Sequence, residues 1–222
     1  MSTYLTRRIE LRIGELDFSL DALQDLQQFD DADGAAARAG ISSALWPLFG
    51  QAWPAGSVLA NYMADFEVGG MRILEIGCGL ALSSLVLQQR GADITASDHH
   101  PLAEAFLQRN ARLNQLALVP YQDLPWEIAN HTLGRFDLII GSDVLYERGH
   151  AAGIAALVQQ HSQPSMQIVI SDPGRGNSNH FSRALALQGF RVDEQRLRFN
   201  ASDSLPFKGR LLHYRRDAPA TA

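Results

Sequence analysis

The stretch of the chain richest in chemical information is Ile73-Leu74-Glu75-Ile76-Gly77-Cys78-Gly79-Leu80-Ala81. An apolar run of strand length ends in a glycine-rich turn and leads straight into a helical pattern. Glycine in such a turn accepts positive φ and lets the backbone approach a ligand, while the first turn of the helix offers unpaired N–H groups. Glu75 enters just before the turn, and Asp98 ends the next apolar run, 21 residues after Gly77. A carboxylate in that second position can accept both hydroxyls of a ribose. A carboxylate at Glu75 repels a diphosphate and suits a ligand that carries an amino group and a positive centre.

The dinucleotide fingerprint G-x-G-x-x-G is incomplete here, because Gly77 and Gly79 fill its first two places and Leu82 the third. S-adenosylmethionine, with its amino group, sulfonium and ribose, therefore fits these residues better than a nicotinamide dinucleotide. A glycine turn that serves packing alone is the remaining alternative.

For these groups to meet, the surrounding elements must form a sheet whose strands end on one side. Spacing predicts strands at Arg72 to Ile76, Asp93 to Ser97, Ala117 to Gln122, Phe136 to Gly141, Gln167 to Ser171, Arg191 to Phe199 and Arg210 to Tyr214. Helices are predicted at Pro54 to Phe66, Ala81 to Gln89, Pro101 to Gln115, Gly149 to His161 and Asn177 to Leu187. Apolar strands alternating with helices mean a parallel sheet covered on both faces. The last two strands, with no helix between them, imply one antiparallel edge strand. The fold class is α/β, a doubly wound, Rossmann-like seven-stranded sheet. Residues 1–40 read as a short N-terminal extension: a strand or hairpin over Thr6 to Leu20, a helix over Asp21 to Phe29 with Asp21 as N-cap, and an acidic link from Asp30 to Gly40. The main domain spans 41–216, and 217–222 read as a disordered tail.

Composition narrows the partners. The chain has 222 residues, 46% of them hydrophobic, which suits one domain with an extension. Its net charge, 19 − 24 = −5, argues against a general nucleic-acid binder. The series Arg191, Arg196, Arg198, Arg210, Arg215 and Arg216 reads as a solvated edge. The single cysteine, Cys78, excludes an intrachain disulfide and a multi-cysteine metal site, and the adjacent His99 and His100 point apart, so no metal is expected. No apolar run approaches the roughly 18 residues that span a membrane, and the opening MSTYLTRRIE lacks the apolar core of a signal peptide. A cytoplasmic location is expected.

L-E-I-G-C-G, the Ser97-Asp98 pair after the second strand, and F-D-L-I-I-G-S-D-V-L-Y-E together resemble the seven-strand, S-adenosylmethionine-dependent methyltransferases. Phe49-Gly50-Gln51-Ala52-Trp53-Pro54-Ala55-Gly56, leading into Leu59-Ala60-Asn61-Tyr62, is similar to a helix of the protein-lysine and protein-arginine branch, which also includes nicotinamide N-methyltransferase-like proteins. Ser171-Asp172-Pro173-Gly174-Arg175 is similar to the segment after the fifth strand in electron-transfer-flavoprotein β-subunit lysine methyltransferases.

The resemblance implies that Glu75, Gly77 and Gly79 line the methionine and ribose part of S-adenosylmethionine and that Asp98 holds the ribose hydroxyls. Asp123 and Trp126, near Gln122, would receive adenine, with Trp53 and Ser142 as further cofactor walls. Asp143 and Tyr146 would be the catalytic residues on the acceptor side. Their D-x-x-Y spacing is similar to the D-P-P-Y tetrad of enzymes that methylate planar NH2 groups, but Val144-Leu145 replaces the prolines and favours a flexible amine. Methyl transfer to a lysine of another protein is therefore expected; arginine, a small-molecule N- or O-acceptor, and a non-catalytic cofactor-binding protein are the alternatives. Lys208, the only lysine, makes self-modification a poor alternative. Asp172 to Arg175 reads as a turn, with substrate gating as its second possibility.

Overall fold

A computed structural model describes residues 4–198, apart from 127 and 129, and residues 206–218. Phe199 of the expected sixth strand and 219–222 of the expected tail lie outside the described residues.

The chain opens with a hairpin of β1 (Thr6–Ile13) and β2 (Leu16–Leu23), followed by the short helix α1 (Ala35–Arg38). Then come α2 (Pro54–Asp65), β3 (Arg72–Ile76), α3 (Leu82–Gln89), β4 (Asp93–Asp98), α4 (Ala103–Leu113), β5 (Tyr121–Asp123) and β6 (Phe136–Ser142). The remainder is α5 (His150–His161), β7 (Ser162–Asp172), α6 (Ser178–Leu187), β8 (Arg191–Leu197) and β9 (Gly209–Arg216). Strands β3 to β9 form one sheet in the order β5-β4-β3-β6-β7-β9-β8. All its pairings are parallel except those of β9, which runs antiparallel to both β7 and β8. The antiparallel strand thus lies one place in from the edge.

Alternation along the central strands splits the core into two layers. Ile73, Leu138, Ile140 and Val169 belong to one apolar cluster, which also takes in residues of α2, α3 and α4. Their neighbours Leu74, Ile139, Ile168 and Ile170 belong to a second, which includes residues of α5 and α6. Burial on both faces is why RILEI and FDLII read as unbroken apolar runs.

The helix expected over Asp21 to Phe29 does not form. Asp21 and Ala22 belong to β2, whose alternation carries Phe18, Leu20 and Ala22 into the core. Leu26 and Phe29, which gave the helical spacing, are exposed, so that spacing had no core to face. The outer edge of β2 is closed by α4: Asn110 Oδ1 accepts the Asp21 N–H at 2.8 Å and Asn114 Oδ1 accepts that of Ser19 at 2.9 Å. The third strand of the main sheet is shorter than expected and begins only at Tyr121, because β5 pairs with the last three residues of β4 and leaves Leu118 exposed. β7 is longer than expected and follows α5 without a loop.

Candidate functional site

β3 delivers the chain into the turn with Gly77 at φ 57° and Gly79 at φ 54°. A Cβ on Gly79 would stand 2.8 Å from the Phe49 carbonyl oxygen, and one on Gly77 would stand 3.0 Å from Val144 Cγ1. Glycine is therefore required twice over, for the backbone conformation and for close approach of two other segments. The end of β4 grips the turn: Cys78 N–H donates to the Ser97 carbonyl at 2.9 Å, and Gly79 N–H donates to Asp98 Oδ2 at 2.8 Å. Asp98 Oδ1 accepts the N–H groups of His99 at 2.7 Å and His100 at 2.9 Å. Burial outweighs these bonds and raises the Asp98 carboxyl above its ordinary value.

Glu75 is buried at 2% exposure. One of its oxygens accepts the Ser84 N–H at 2.9 Å and also the Ser84 hydroxyl. Ser84 lies in the first turn of α3, whose N-cap Ala81 provides no side-chain cap. Glu75 supplies that cap from the neighbouring strand. Burial raises its pKa to about 7, against the pull of the Ser84 bonds and with the Asp98 charge adding to the rise. The Cys78 thiol is likewise pushed up by burial, the opposite of what a nucleophile needs. His100, stacked on Phe49 with ring centroids 3.7 Å apart, is lowered to about 3 by burial and is neutral.

A cavity of about 560 Å³ opens over the turn, and every expected site residue except Asp123 lines it. Trp53 stands at the N-terminus of α2, where its Nε1–H donates to the Leu48 carbonyl at 2.8 Å. Ser142 ends β6, near Gly56 of α2. The Trp126 ring lies over Gly77 and meets His150 edge-on at 4.8 Å. Asp123 ends β5 with its side chain 75% exposed, 3.7 Å from His99 Nδ1 and outside the lining. Gln122 is outside it too.

Just after β6, Asp143 has φ 51°, unusual for a residue with a side chain, and its N–H donates to the Ser171 carbonyl at 2.8 Å. Its carboxylate, 12% exposed, is gripped by the Arg175 guanidinium: Nε to Oδ1 at 2.7 Å and Nη2 to Oδ2 at 2.6 Å. Tyr146 is 42% exposed and packs edge-on against His150 at 4.5 Å. Burial, then Glu147, raises its hydroxyl to about 12, so it is a neutral phenol. His150 is fixed by the Val144 carbonyl, 3.0 Å from its Nδ1. Sequence reasoning missed one lining residue, His150, and one pairing, that of Arg175 with Asp143. His150 appeared only as part of a helix start, although it lies four residues after Tyr146. The pairing of Arg175 with Asp143 had no local signal beyond the D-P-G-R turn.

Residues 48–185 match the family described as lysine methyltransferase. The chain belongs to the lysine methyltransferase family. Among its relatives, the electron transfer flavoprotein beta subunit lysine methyltransferase of Mus musculus is 30% identical over 138 residues, 60% of this chain and 52% of that protein. The histone-arginine methyltransferase METTL23 of Xenopus laevis is 31% identical over 102 residues, 43% of this chain and 44% of that protein. The chain thus spans about half the length of the curated family relatives it matches. The crystal structure of magnesium protoporphyrin IX methyltransferase from Synechocystis PCC 6803 with bound SAM shares the fold, with a TM-score of 0.54, 22% identity, and coverage of 73% of this chain and 78% of that one.

Proposed function

We propose that the protein transfers a methyl group from S-adenosylmethionine to a lysine side chain of another protein. The observation that carries this reading is the position of Asp143 and Tyr146 on the wall of the cavity over the Gly77–Gly79 turn, in a chain of the lysine methyltransferase family.

The residues present fit the cofactor. The cavity, about 560 Å³, is of the size usual for small-molecule sites. Asp98 faces it with a carboxylate suited to ribose hydroxyls, and buried Glu75 places a carboxyl beside the turn, where the amino group of a bound ligand would favour its charged form. Trp53, Trp126 and Ser142 supply walls, and the adenine assignment rests on Trp126, since Asp123 stands outside the lining. When bound, S-adenosylmethionine supplies an electrophilic methyl group on a sulfonium. The chain's own residues hold the acceptor in line, and proper alignment contributes about 7–11 kcal/mol.

The remaining barrier is the acceptor's proton. A free lysine has a pKa of about 10.4, so near pH 7.5 about one in a thousand is neutral, a cost of about 4 kcal/mol. An apolar slot lowers that cost by disfavouring the ammonium. The Asp143 carboxylate and the Tyr146 oxygen then accept the amine's remaining hydrogens and turn its lone pair inward. An arginine acceptor is the second reading, favoured by the fit of a guanidinium fork to Asp143. A cytoplasmic location goes with this reading.

The test is labelled S-adenosylmethionine added with the protein to lysate of the source organism, followed by separation and hydrolysis of the labelled species. Methyl-lysine in protein is expected. Methyl-arginine moves the assignment to the second reading, and label confined to small metabolites overturns both.

A further inference from the structure

Asp143 and Arg175 lie 32 residues apart in the chain, yet they form the two-point fork that guanidinium and carboxylate make best. The two partners are unequally placed. The Asp143 side chain is 12% exposed and the Arg175 side chain 46%, so the cation can swing into water while the carboxylate stays on the cavity wall. The backbone around Arg175 is distinctive. It is flanked by Gly174 at φ 90° and Gly176 at φ 93°, and a Cβ on either would meet nothing within 4 Å. These conformations belong to glycine alone, and here they serve no close contact. Both ends of the loop are nevertheless tied: Asp172 Oδ1 accepts the Gly174 N–H at 3.1 Å, and Asn177 Nδ2 donates to the Leu145 carbonyl at 2.8 Å. A short tether with fixed ends thus presents one cation to one carboxylate.

We propose that Arg175 occupies the cation subsite of the methyl acceptor and sets its specificity, because only a positively charged side chain can take its place on Asp143. The inference rests on the function proposed above, in which Asp143 receives the acceptor. A nearly buried carboxylate left without a partner is costly, so the resting site keeps its own cation. A neutral or anionic acceptor that dislodged Arg175 would leave that charge uncompensated and is rejected. An ammonium or guanidinium restores the pair on entry and is admitted; it then loses a proton to solvent and stays hydrogen-bonded to Asp143 as the neutral nucleophile. The guanidinium of Arg175 stays charged on Asp143 and in water alike, since arginine is not deprotonated in proteins; while the pair is formed, the bond to Asp143 raises its pKa further. The acceptor's apparent affinity is reduced by the fraction of time that Arg175 sits on Asp143.

The experiment measures binding of n-butylammonium to the full chain, saturated with S-adenosylhomocysteine, by calorimetry at low ionic strength. Arg175→Gln is expected to bind the probe about fivefold more tightly than the unsubstituted chain, the factor set by the strength of a half-exposed ion pair. The gain should shrink as salt is raised. Adding Asp143→Asn to Arg175→Gln should abolish it, which a merely structural role for Arg175 would not predict. Arg175→Lys, a one-point cation, should give a gain of about twofold and decides the matter should the glutamine variant fail to fold. Equal or weaker probe binding in the folded Arg175 variants overturns the proposal. The labelled-lysate experiment fails separately: a gain in probe affinity without methyl-lysine leaves the subsite standing and removes the protein-lysine reading.

Discussion

The N–H of Gly79 donates to Asp98 Oδ2 at 2.8 Å, so one carboxylate both faces the cavity and holds the second glycine of the turn in place. Asp98 also receives two further backbone N–H groups, from His99 and His100. Removing it therefore takes away the proposed ribose acceptor and the brace of the turn together. Asp98→Ala is expected to weaken S-adenosylhomocysteine binding by about 2–3 kcal/mol and to lower the unfolding midpoint as well. Calorimetry showing unchanged affinity would sink the ribose assignment.

Glu75 supplies a pH test. Its carboxyl titrates at about 7 in the folded chain against 4.5 ordinarily, so the folded state holds the proton more tightly. The resulting stabilisation is complete below the unfolded value and is lost as pH rises through the folded one. Glu75→Gln keeps an oxygen for Ser84 and carries no charge. Between about pH 5 and pH 8, the ligand-free variant should gain on the parent chain by up to about 3 kcal/mol. Urea unfolding of both chains across that range measures the gap; a constant gap would rule out the buried charge as its cause.

Tyr146→Phe removes only a hydroxyl that the proposed acceptor would use. Turnover should fall about ten- to a hundredfold with cofactor affinity nearly intact, the pattern of an interaction made mainly in the transition state. His150→Leu removes the ring packed between Trp126 and Tyr146, and is expected to cost about three- to tenfold by letting Tyr146 wander. Steady-state rates beside S-adenosylhomocysteine titrations separate these effects. Loss of cofactor affinity in Tyr146→Phe would place that hydroxyl on the wrong ligand.

Gly79→Ala combines a φ of 54° with a Cβ 2.8 Å from the Phe49 carbonyl. A cost of about 2–4 kcal/mol follows, because neither the backbone nor that carbonyl can yield cheaply. Gly149→Ala is the control: φ is −72° and a Cβ there meets nothing within 4 Å. It should be neutral or stabilising by a few tenths of a kcal/mol. Chemical denaturation of both variants gives the comparison, and a Gly79→Ala chain as stable as the parent would refute the crowding at Phe49.

The elements around the turn were legible because each carries its own periodicity. β3 and β6 are buried on both faces, so their apolar runs stand out, and Pro54 marks the start of α2. That Glu75 and Asp98 line one cavity was legible because both lie at or near the ends of adjacent parallel strands, which finish on the same side of the sheet. What escaped were contacts between distant residues that leave no local pattern. Asn110 and Asn114 close the edge of β2 from α4, and this tertiary pairing favours strand over the helical spacing of Leu23, Leu26 and Phe29. Arg175 read as part of a turn because its partner lies 32 residues away. Asp123 has the right chemistry at a strand end, but β5 is an edge strand of three residues, and its last side chain points to water.

The position of β9 between β7 and β8 has a consequence for the order in which the protein can be made. β8 leaves the ribosome before β9, yet among the described strands β9 is its only partner in the sheet. The same strand covers the open side of β7, whose end carries Ser171 and Asp172 beside the Arg175 loop. Co-translational folding therefore cannot finish this wall of the cavity strand by strand; it must wait for residues 209–216 and then close in one step. Chains stalled on the ribosome just after β8 should be cut by protease in β8, and its protection should arrive only once β9 has emerged.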